Sequence, residues 1–215
     1  MTKVKICGIT SVDDARLAAE LGAWAVGLIF HPSSPRAVDL ADAEAIGAEL
    51  KREVLVTGVF ANAPLDELAA VAERCSLALL QLHGEEGQAY CREAARRTGA
   101  KVMKAVRIKD AAAVRSLGAY RDVDYHLLDA HVHGTRGGTG ETFPWELARS
   151  HRGPVPVVLS GGLTPENVGA AIAAARPFAV DSATGTEAEP GVKDPARVRA
   201  FFRAVEQADG DKAAA

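Results

Sequence analysis

The chain alternates between short β-type runs and longer helical segments almost from end to end. Eight runs rich in Val, Ile and Leu have the length of strands, at positions 4–8, 24–30, 54–60, 77–83, 102–108, 123–130, 155–161 and 178–183. Several are apolar throughout, which is typical of parallel strands covered on both faces. The repetition predicts an α/β fold with a parallel sheet.

Helical patterns fill the intervals between these runs. They predict helices over 13–21, 41–50, 65–75, 86–98, 110–119 and 144–151. The helix over 86–98 is expected to close at Gly99. Thr164-Pro165 and Asp194-Pro195 each predict a helix start, because a capping side chain precedes a proline at the first helical position. These helices are expected to run to Ala175 and to about Gln207.

The number of units favours a closed barrel over an open sheet. Eight βα units in 215 residues fit the small end of the range for a (β/α)8, or TIM, barrel. An open doubly wound sheet usually has fewer strands, and its dinucleotide-binding GxGxxG is missing from the segment Cys7–Thr10. No interior linker divides the chain. We therefore expect a single (β/α)8 barrel over residues 1–207 and a frayed tail over 208–215.

Charge and hydropathy argue against several classes of partner. Lys and Arg number 25 and Asp and Glu 28, so a net charge of −3 gives no electrostatic reason for binding nucleic acid or a membrane surface. No apolar run approaches the ~18 residues of a spanning helix, and the N-terminus lacks the apolar core of a signal peptide. The three cysteines, Cys7, Cys75 and Cys91, show no metal-ligand spacing. These features predict a cytoplasmic protein.

The active site of such a barrel lies at the carboxyl ends of its strands. The candidates there are Cys7, residues 30–36, Asn62, His83, Arg107, Asp129, residues 160–162 and residues 181–185. Cys7 is either a small buried apolar residue or a thiol that cations at the mouth could ionise. Asp129 ends a buried strand, where a carboxylate is costly unless paired or solvated, so it is either a functional acid or part of a structural cap or ion pair.

Two segments near Asp129 carry residue types that are found in functional sites. His126, His131 and His133 lie close together in sequence, but no further carboxylate spacing supports a metal site, and we expect no metal. The glycine-rich segment 133–145 lacks the ending of a P-loop. Its stretch Gly134–Gly140 is predicted to be a mobile lid, with Arg136 the side chain drawn towards the site.

Glycine-rich turns after the last two strands predict a phosphate site. Ser160-Gly161-Gly162 follows the seventh strand and leads towards a helix, and Ser182 to Gly185 follow the eighth. Glycines let backbone N–H groups approach an anion closely, and these loops are the recurrent phosphate site of the barrel. Plain turn glycines are the alternative. A phosphorylated small metabolite is therefore the expected ligand.

Seven stretches, spread over nearly every strand end, resemble the phosphoribosylanthranilate isomerase family. They are KICGIT (5–10), GLIFHPSSPRAV (27–38), TGVFAN (57–62), LQLHGEE (80–86), LLDAHVHGTRGGTGETFPW (127–145), LSGGLTPENV (159–168) and AVDSATGTEAEPGVKD (179–194). The resemblance implies a cofactor-free barrel enzyme of tryptophan biosynthesis. Its reaction would be the Amadori rearrangement of N-(5'-phosphoribosyl)anthranilate to 1-(o-carboxyphenylamino)-1-deoxyribulose 5-phosphate.

The resemblance also implies roles for individual residues. Cys7 would be the general base, acting as a thiolate, and Asp129 the general acid. Arg36 would bind the anthranilate carboxylate, which suits a planar guanidinium. Other substrate contacts are expected from His83 and Asp181, and phosphate contacts from Gly161, Gly162, Ser182 and Gly185. The stretch DSATGTE departs from the family's DVSSGVE, so the sequence does not determine which hydroxyl group of this stretch faces the phosphate.

The sequence leaves two alternatives open. One is an isomerase of the histidine pathway, or an enzyme serving both pathways, although those resemble a carboxylate pair and the first position here is Cys7. The other is a catalytically silent barrel that only binds a phosphorylated ligand. In each case the expected state is a monomer or a homodimer.

Overall fold

The strands close into the barrel that the alternation predicts, in a computed structural model that describes residues 1–129 and 145–214. Each strand pairs in parallel with the next, and β8 pairs with β1 to complete the ring. The strands are β1 Lys3–Cys7, β2 Ala25–Ile29, β3 Leu55–Phe60, β4 Leu79–Leu82, β5 Lys101–Arg107, β6 Tyr125–Asp129, β7 Val157–Ser160 and β8 Ala179–Ser182. The predicted fold class is confirmed.

Helices cover the outside of the barrel between the strands. Their bounds are α1 Val12–Glu20, α2 Leu40–Leu50, α3 Leu65–Arg74, α4 Gln88–Thr98, α5 Ala111–Ser116, α6 Val168–Ala175 and α7 Pro195–Ala214. Trp145–Ser150, in the interval predicted as the helix 144–151, is a 3-10 helix. Gly99 ends α4 as predicted, with φ at 68° in the left-handed region that glycine adopts without strain.

The predicted start of α6 at Pro165 is wrong, and the helix begins at Val168. The Asn167 side chain accepts a hydrogen bond of 2.8 Å from the Thr164 N–H, which makes residues 164–167 a turn. At α7 the prediction holds, because Asp194 Oδ1 accepts from the N–H groups of Ala196 and Arg197 at 2.8 and 3.2 Å.

The carboxyl-terminal helix extends through the segment that the sequence predicts to fray. It continues past Gln207 to Ala214. The Asp209 carboxylate accepts hydrogen bonds from the Thr2 N–H and, at 2.8 Å, from the Thr2 hydroxyl. Ala208 packs against the apolar core. These tertiary contacts explain why the helix ends later than predicted.

The alternation of strand side chains separates an outer core from the barrel interior and places the site. One face of each strand packs against the helices, and the other points into the barrel. The apolar interior consists of Leu79, Met103, Ala105, Tyr125, Leu127, Val158 and Ala179. On β6 the inward positions are Tyr125, Leu127 and then Asp129, so the carboxylate emerges at the carboxyl-terminal mouth.

Two features fall outside the predictions. A short antiparallel hairpin follows β8, with β9 at Glu187–Glu189 and β10 at Val192–Lys193, and no sequence pattern indicates it. The predicted lid Gly134–Gly140, with Arg136, His131 and His133, lies outside the described residues.

Candidate active site

A cavity of about 510 Å³ opens at the carboxyl ends of the strands and collects most of the predicted site residues. Its wall includes Cys7, Arg36, His83, Asp129, Gly161, Gly162 and Asp181. Ser182 and Gly185 are not among the residues that line it. The two proposed proton-transfer groups, from β1 and β6, therefore share one cavity of the size of a small-molecule site.

Cys7 is held in a tightly packed position at the end of β1. Only 6% of the residue is exposed. A Cβ added at Gly27, on the neighbouring strand, would lie 2.7 Å from Cys7 Sγ and 3.0 Å from Lys5 Nζ, so glycine there provides the space. Burial raises the pKa of Cys7, and the positive charge of Lys5 offsets this only in part. The nearby cations therefore favour the thiolate, but burial outweighs them.

Asp129 lies beside a histidine that is itself oriented by a glutamine. His83 Nε2 is 3.3 Å from Asp129 Oδ2, and Gln81 Nε2 is 3.0 Å from His83 Nδ1. Because the amide nitrogen only donates, Nδ1 is the acceptor, and the neutral ring carries its proton on Nε2, facing Asp129. The predicted substrate residue His83 thus contacts the proposed acid, and Gln81 is a residue that the sequence reasoning missed.

Arg36 is fixed by an acidic residue from the unpredicted hairpin. Its Nε donates to both Glu187 carboxylate oxygens at 2.8 and 3.0 Å, and its Nη2 donates to Oε2 at 2.8 Å. Lys193 Nζ reaches Glu187 Oε1 at 3.1 Å and the Cys7 carbonyl at 2.7 Å. Burial would raise the pKa of Glu187, but the Arg36 hydrogen bonds and the Lys193 charge outweigh it and lower that pKa. Arg36 is therefore pre-oriented at the cavity wall.

The glycine loops divide into lining and supporting residues. Gly161 and Gly162, with φ of 100° and 65°, line the cavity in conformations that favour glycine. The Ser182 hydroxyl instead donates to the Leu163 carbonyl at 2.8 Å. A Cβ on Gly185 would lie 1.9 Å from that same oxygen, so Gly185 allows loop eight to pack on loop seven.

Thr184 presents the hydroxyl-bearing side chain of loop eight at the cavity. It lines the wall together with Ala183. The sequence contained its signal, a second hydroxyl residue two positions after Ser182, but periodicity alone could not show which of the two faces inward. Of the two hydroxyl residues, Thr184 lines the cavity and Ser182 does not.

Asp181 lies on the cavity floor, where both of its oxygens have partners. Oδ1 is 2.9 Å from Lys5 Nζ, and Oδ2 accepts from the Ser160 hydroxyl at 3.0 Å. Lys5 is completely buried. Sequence reasoning assigned it no role, although a lysine inside an apolar strand was a visible signal.

Among the residues that the structure describes, no three His, Cys, Asp or Glu side chains cluster so that they could hold a metal ion. Within residues 1–129 and 145–214, no helix combines the length and apolar character needed to cross a bilayer.

These features define the class as a (β/α)8 barrel whose cavity, at the carboxyl ends of the strands, brings together a thiol, a carboxylate, a guanidinium and glycine-rich loops. Comparisons then identify the family. The family model described as "N-(5'phosphoribosyl)anthranilate (PRA) isomerase" matches residues 4–204. A relative from Citrifermentans bemidjiense, N-(5'-phosphoribosyl)anthranilate isomerase, is 47% identical over 93% of this chain and 94% of its own.

Solved structures agree with the family match. Phosphoribosyl anthranilate isomerase from Thermotoga maritima has a TM-score of 0.86 and 41% identity, over 96% of this chain and 100% of its own. A phosphoribosyl anthranilate isomerase in complex with reduced 1-(o-carboxyphenylamino)-1-deoxyribulose 5-phosphate has a TM-score of 0.83 and 39% identity, with the same two coverages. The chain belongs to the N-(5'-phosphoribosyl)anthranilate isomerase family and is an isomerase of tryptophan biosynthesis. The resemblance found in the sequence is confirmed.

Proposed function

We propose that the protein converts N-(5'-phosphoribosyl)anthranilate to 1-(o-carboxyphenylamino)-1-deoxyribulose 5-phosphate, with Asp129 as general acid and Cys7 as general base. The observation that carries the proposal is that both side chains line one cavity, from β6 and β1, together with Arg36 and the glycines of loop seven. We expect the protein to act as a monomer or a homodimer.

The first step is acid catalysis at the sugar. Asp129, in its protonated form, gives a proton to the furanose ring oxygen, the bond from that oxygen to C1′ breaks, and the anthranilate nitrogen forms a Schiff base with C1′. The His83 N–H that faces Asp129 holds the carboxyl group in place and stabilises the carboxylate left behind. This contact accounts for a histidine at the end of β4.

The second step is base catalysis. The Cys7 thiolate removes the C2′ proton, and the electrons of that bond form the enolamine. C1′ then gains a proton while the C2′ hydroxyl loses one, which gives the ketone. The reaction is redox-neutral and releases no fragment, so it needs neither a cofactor nor a second substrate. A general base works best with a pKa near the operating pH, whereas burial raises the pKa of the Cys7 thiol, so the step depends on the nearby positive charges of Lys5 and Lys193, which act to lower that pKa.

The remaining side chains hold the two ends of the substrate. Arg36 would bind the anthranilate carboxylate through Nη1, the one guanidinium nitrogen that Glu187 does not use, and through the second N–H of Nη2. Gly161, Gly162 and Thr184 would hold the phosphate, and Asp181 would face the sugar hydroxyls. The product-like ligand in the solved relative supports a phosphorylated ligand for this cavity. Three free, buried cysteines agree with a reducing cytoplasm.

Loss of substrate fluorescence tests the proposal directly. Cys7→Ala and Asp129→Asn should each lower kcat by about 10²- to 10⁴-fold, the usual contribution of a positioned proton-transfer group. Cys91→Ala is the matched control, because Cys91 is a buried cysteine on α4 outside the cavity lining, and it should keep turnover. Near-wild-type turnover in Cys7→Ala would remove that residue from the mechanism. An inactive wild-type protein that still binds the product would favour the silent barrel.

A further inference from the structure

The barrel interior beneath the cavity holds a buried ammonium group that the proposed mechanism leaves unused. Lys5 precedes Cys7 by two positions on β1, so both side chains point to the same face of the strand, into the barrel. Its side chain is 0% exposed and its Nζ lies 2.9 Å from Asp181 Oδ1. A buried lysine is costly unless paired, and here the pair lies directly below the proposed base.

The absence of a side chain at Gly27 brings Lys5 and Cys7 to the same small space. A Cβ at that glycine would be 3.0 Å from Lys5 Nζ and 2.7 Å from Cys7 Sγ. Lys5 Nζ therefore has two anionic or potentially anionic neighbours, the Asp181 carboxylate and the Cys7 sulfur. The positions of these three groups are set by adjacent strands, since β1 pairs with both β2 and β8.

Other charged groups reach this region from the surrounding elements. Lys193 on β10 donates to the Cys7 carbonyl and is paired with Glu187 on β9, which also binds Arg36. The far wall of the cavity carries His83 after β4, Arg107 on β5 and Asp129 on β6. Among the described residues, Lys5 is the cation whose side chain lies beside the Cys7 thiol next to Gly27, whereas the Lys193 ammonium contacts the backbone carbonyl oxygen of Cys7.

We propose that Lys5 is a positioning residue for the reaction: its buried ammonium, held by Asp181, stabilises the thiolate form of Cys7. The inference rests on the proposed base role of Cys7. When the thiolate takes the C2′ proton, its charge is neutralised and the Lys5–Asp181 pair remains intact. The negative charge of Asp181 disfavours the Cys7 thiolate even though Asp181 holds Lys5 in place. Lys5 and Asp181 therefore have opposite effects on the pKa of Cys7.

The electrostatic contributions at the thiol agree in sign with this arrangement. Burial raises the pKa of Cys7, the charge of Lys5 is the largest influence that lowers it, and the charge of Asp181 raises it. Removing Lys5 should therefore make the thiolate harder to form, and neutralising Asp181 should make it easier. A purely structural role for the pair would not produce shifts of opposite sign.

The test measures thiolate formation without using catalysis. Iodoacetamide alkylation of Cys7 is followed against pH in the free enzyme, with the modified peptide quantified by mass spectrometry so that Cys75 and Cys91 do not contribute. Lys5→Met should raise the midpoint by about one pH unit or more, the usual effect of removing a close opposite charge. Asp181→Asn should lower the midpoint.

Two further variants separate this effect from loss of folding. Lys104→Met removes a second buried lysine, whose Nζ is 2.9 Å from Glu86 Oε2, and should leave the Cys7 midpoint unchanged. Lys5→Met/Asp181→Asn leaves no unpaired buried charge, so it should fold even where Lys5→Met does not, and its midpoint should stay above wild type. Circular dichroism confirms folding of each variant.

The outcomes distinguish this inference from the proposed base role. An unchanged Cys7 midpoint in folded Lys5→Met or in the double variant would overturn the role of Lys5. If the midpoints shift as expected, the acid limb of the kcat/KM profile of Lys5→Met should shift upwards with them. Shifted midpoints combined with full turnover in Cys7→Ala would leave the Lys5 effect standing and reject Cys7 as the base.

Discussion

Acidification should weaken the packing of β6 against the segment 145–151, because a buried pair of histidines, His126 and His151, connects the two. His126 is 2% exposed, with Nε2 2.8 Å from the Tyr120 carbonyl and Nδ1 2.7 Å from His151 Nε2. Since a carbonyl only accepts, Nε2 carries the proton and Nδ1 accepts from the His151 N–H. Protonation of His126 would place a second N–H against that donor.

The magnitude follows from the altered proton affinity. Burial lowers the pKa of His126, the contact with the Tyr120 carbonyl opposes this, and the neighbouring His151 adds to the lowering, with a net change from 6.5 to about 4. The unfolded chain therefore binds the proton more tightly than the native protein. This contribution to stability is complete above pH 6.5 and is lost as the pH falls towards 4. With partial solvent relaxation, the loss at about pH 5 is about 1–2 kcal/mol in the free energy of unfolding.

Urea unfolding followed by circular dichroism at about pH 7.5 and about pH 5 measures this loss. His126→Gln, which keeps a donor for the Tyr120 carbonyl but cannot titrate, should lose about 1–2 kcal/mol less than wild type between the two conditions. His31→Gln, at an exposed histidine, is the matched control and should behave as wild type. Glu187 and the other carboxylates titrate in all three proteins and cancel in the comparison. Equal losses in wild type and His126→Gln would refute the reasoning.

Two further predictions concern the cavity wall. Arg36→Ala should raise KM with little change in kcat, because the carboxylate contact is present in both the ground state and the transition state, and Arg36→Lys should restore only part of the lost affinity. Steady-state kinetics measures both constants. An unchanged KM would show that the substrate carboxylate is bound elsewhere. Gly185→Ala should lower the free energy of unfolding by about 2 kcal/mol or more and weaken inhibition by inorganic phosphate, since its Cβ would meet the Leu163 carbonyl oxygen at 1.9 Å. Gly210→Ala is the control, because nothing lies within 4 Å of the added Cβ, and it should leave the free energy of unfolding unchanged or increase it. A Gly185→Ala variant as stable as wild type would contradict the close packing of the loops that follow β7 and β8.

The sequence alone determined the eight strands, the closed barrel and most of the residues at its mouth. Apolar runs and helix caps are local patterns, so they could be read without knowing any long-range contact. Once the strand ends were known, the rules of the barrel placed Cys7, Asp129 and the glycines of loop seven together. The family motifs added roles for them, and the cavity contains these residues as predicted.

The tertiary structure decided the partners of those residues. Lys5 and Asp181 are 176 positions apart, Arg36 and Glu187 151, and Thr2 and Asp209 207, so no local pattern could pair them. The first pair places a cation beside the proposed base, the second orients Arg36, which is proposed to bind the substrate carboxylate, and the third extends α7 beyond its predicted end. Such contacts form only when the barrel closes and brings its first strand beside its last, which is why the chemistry of the mouth required the folded chain.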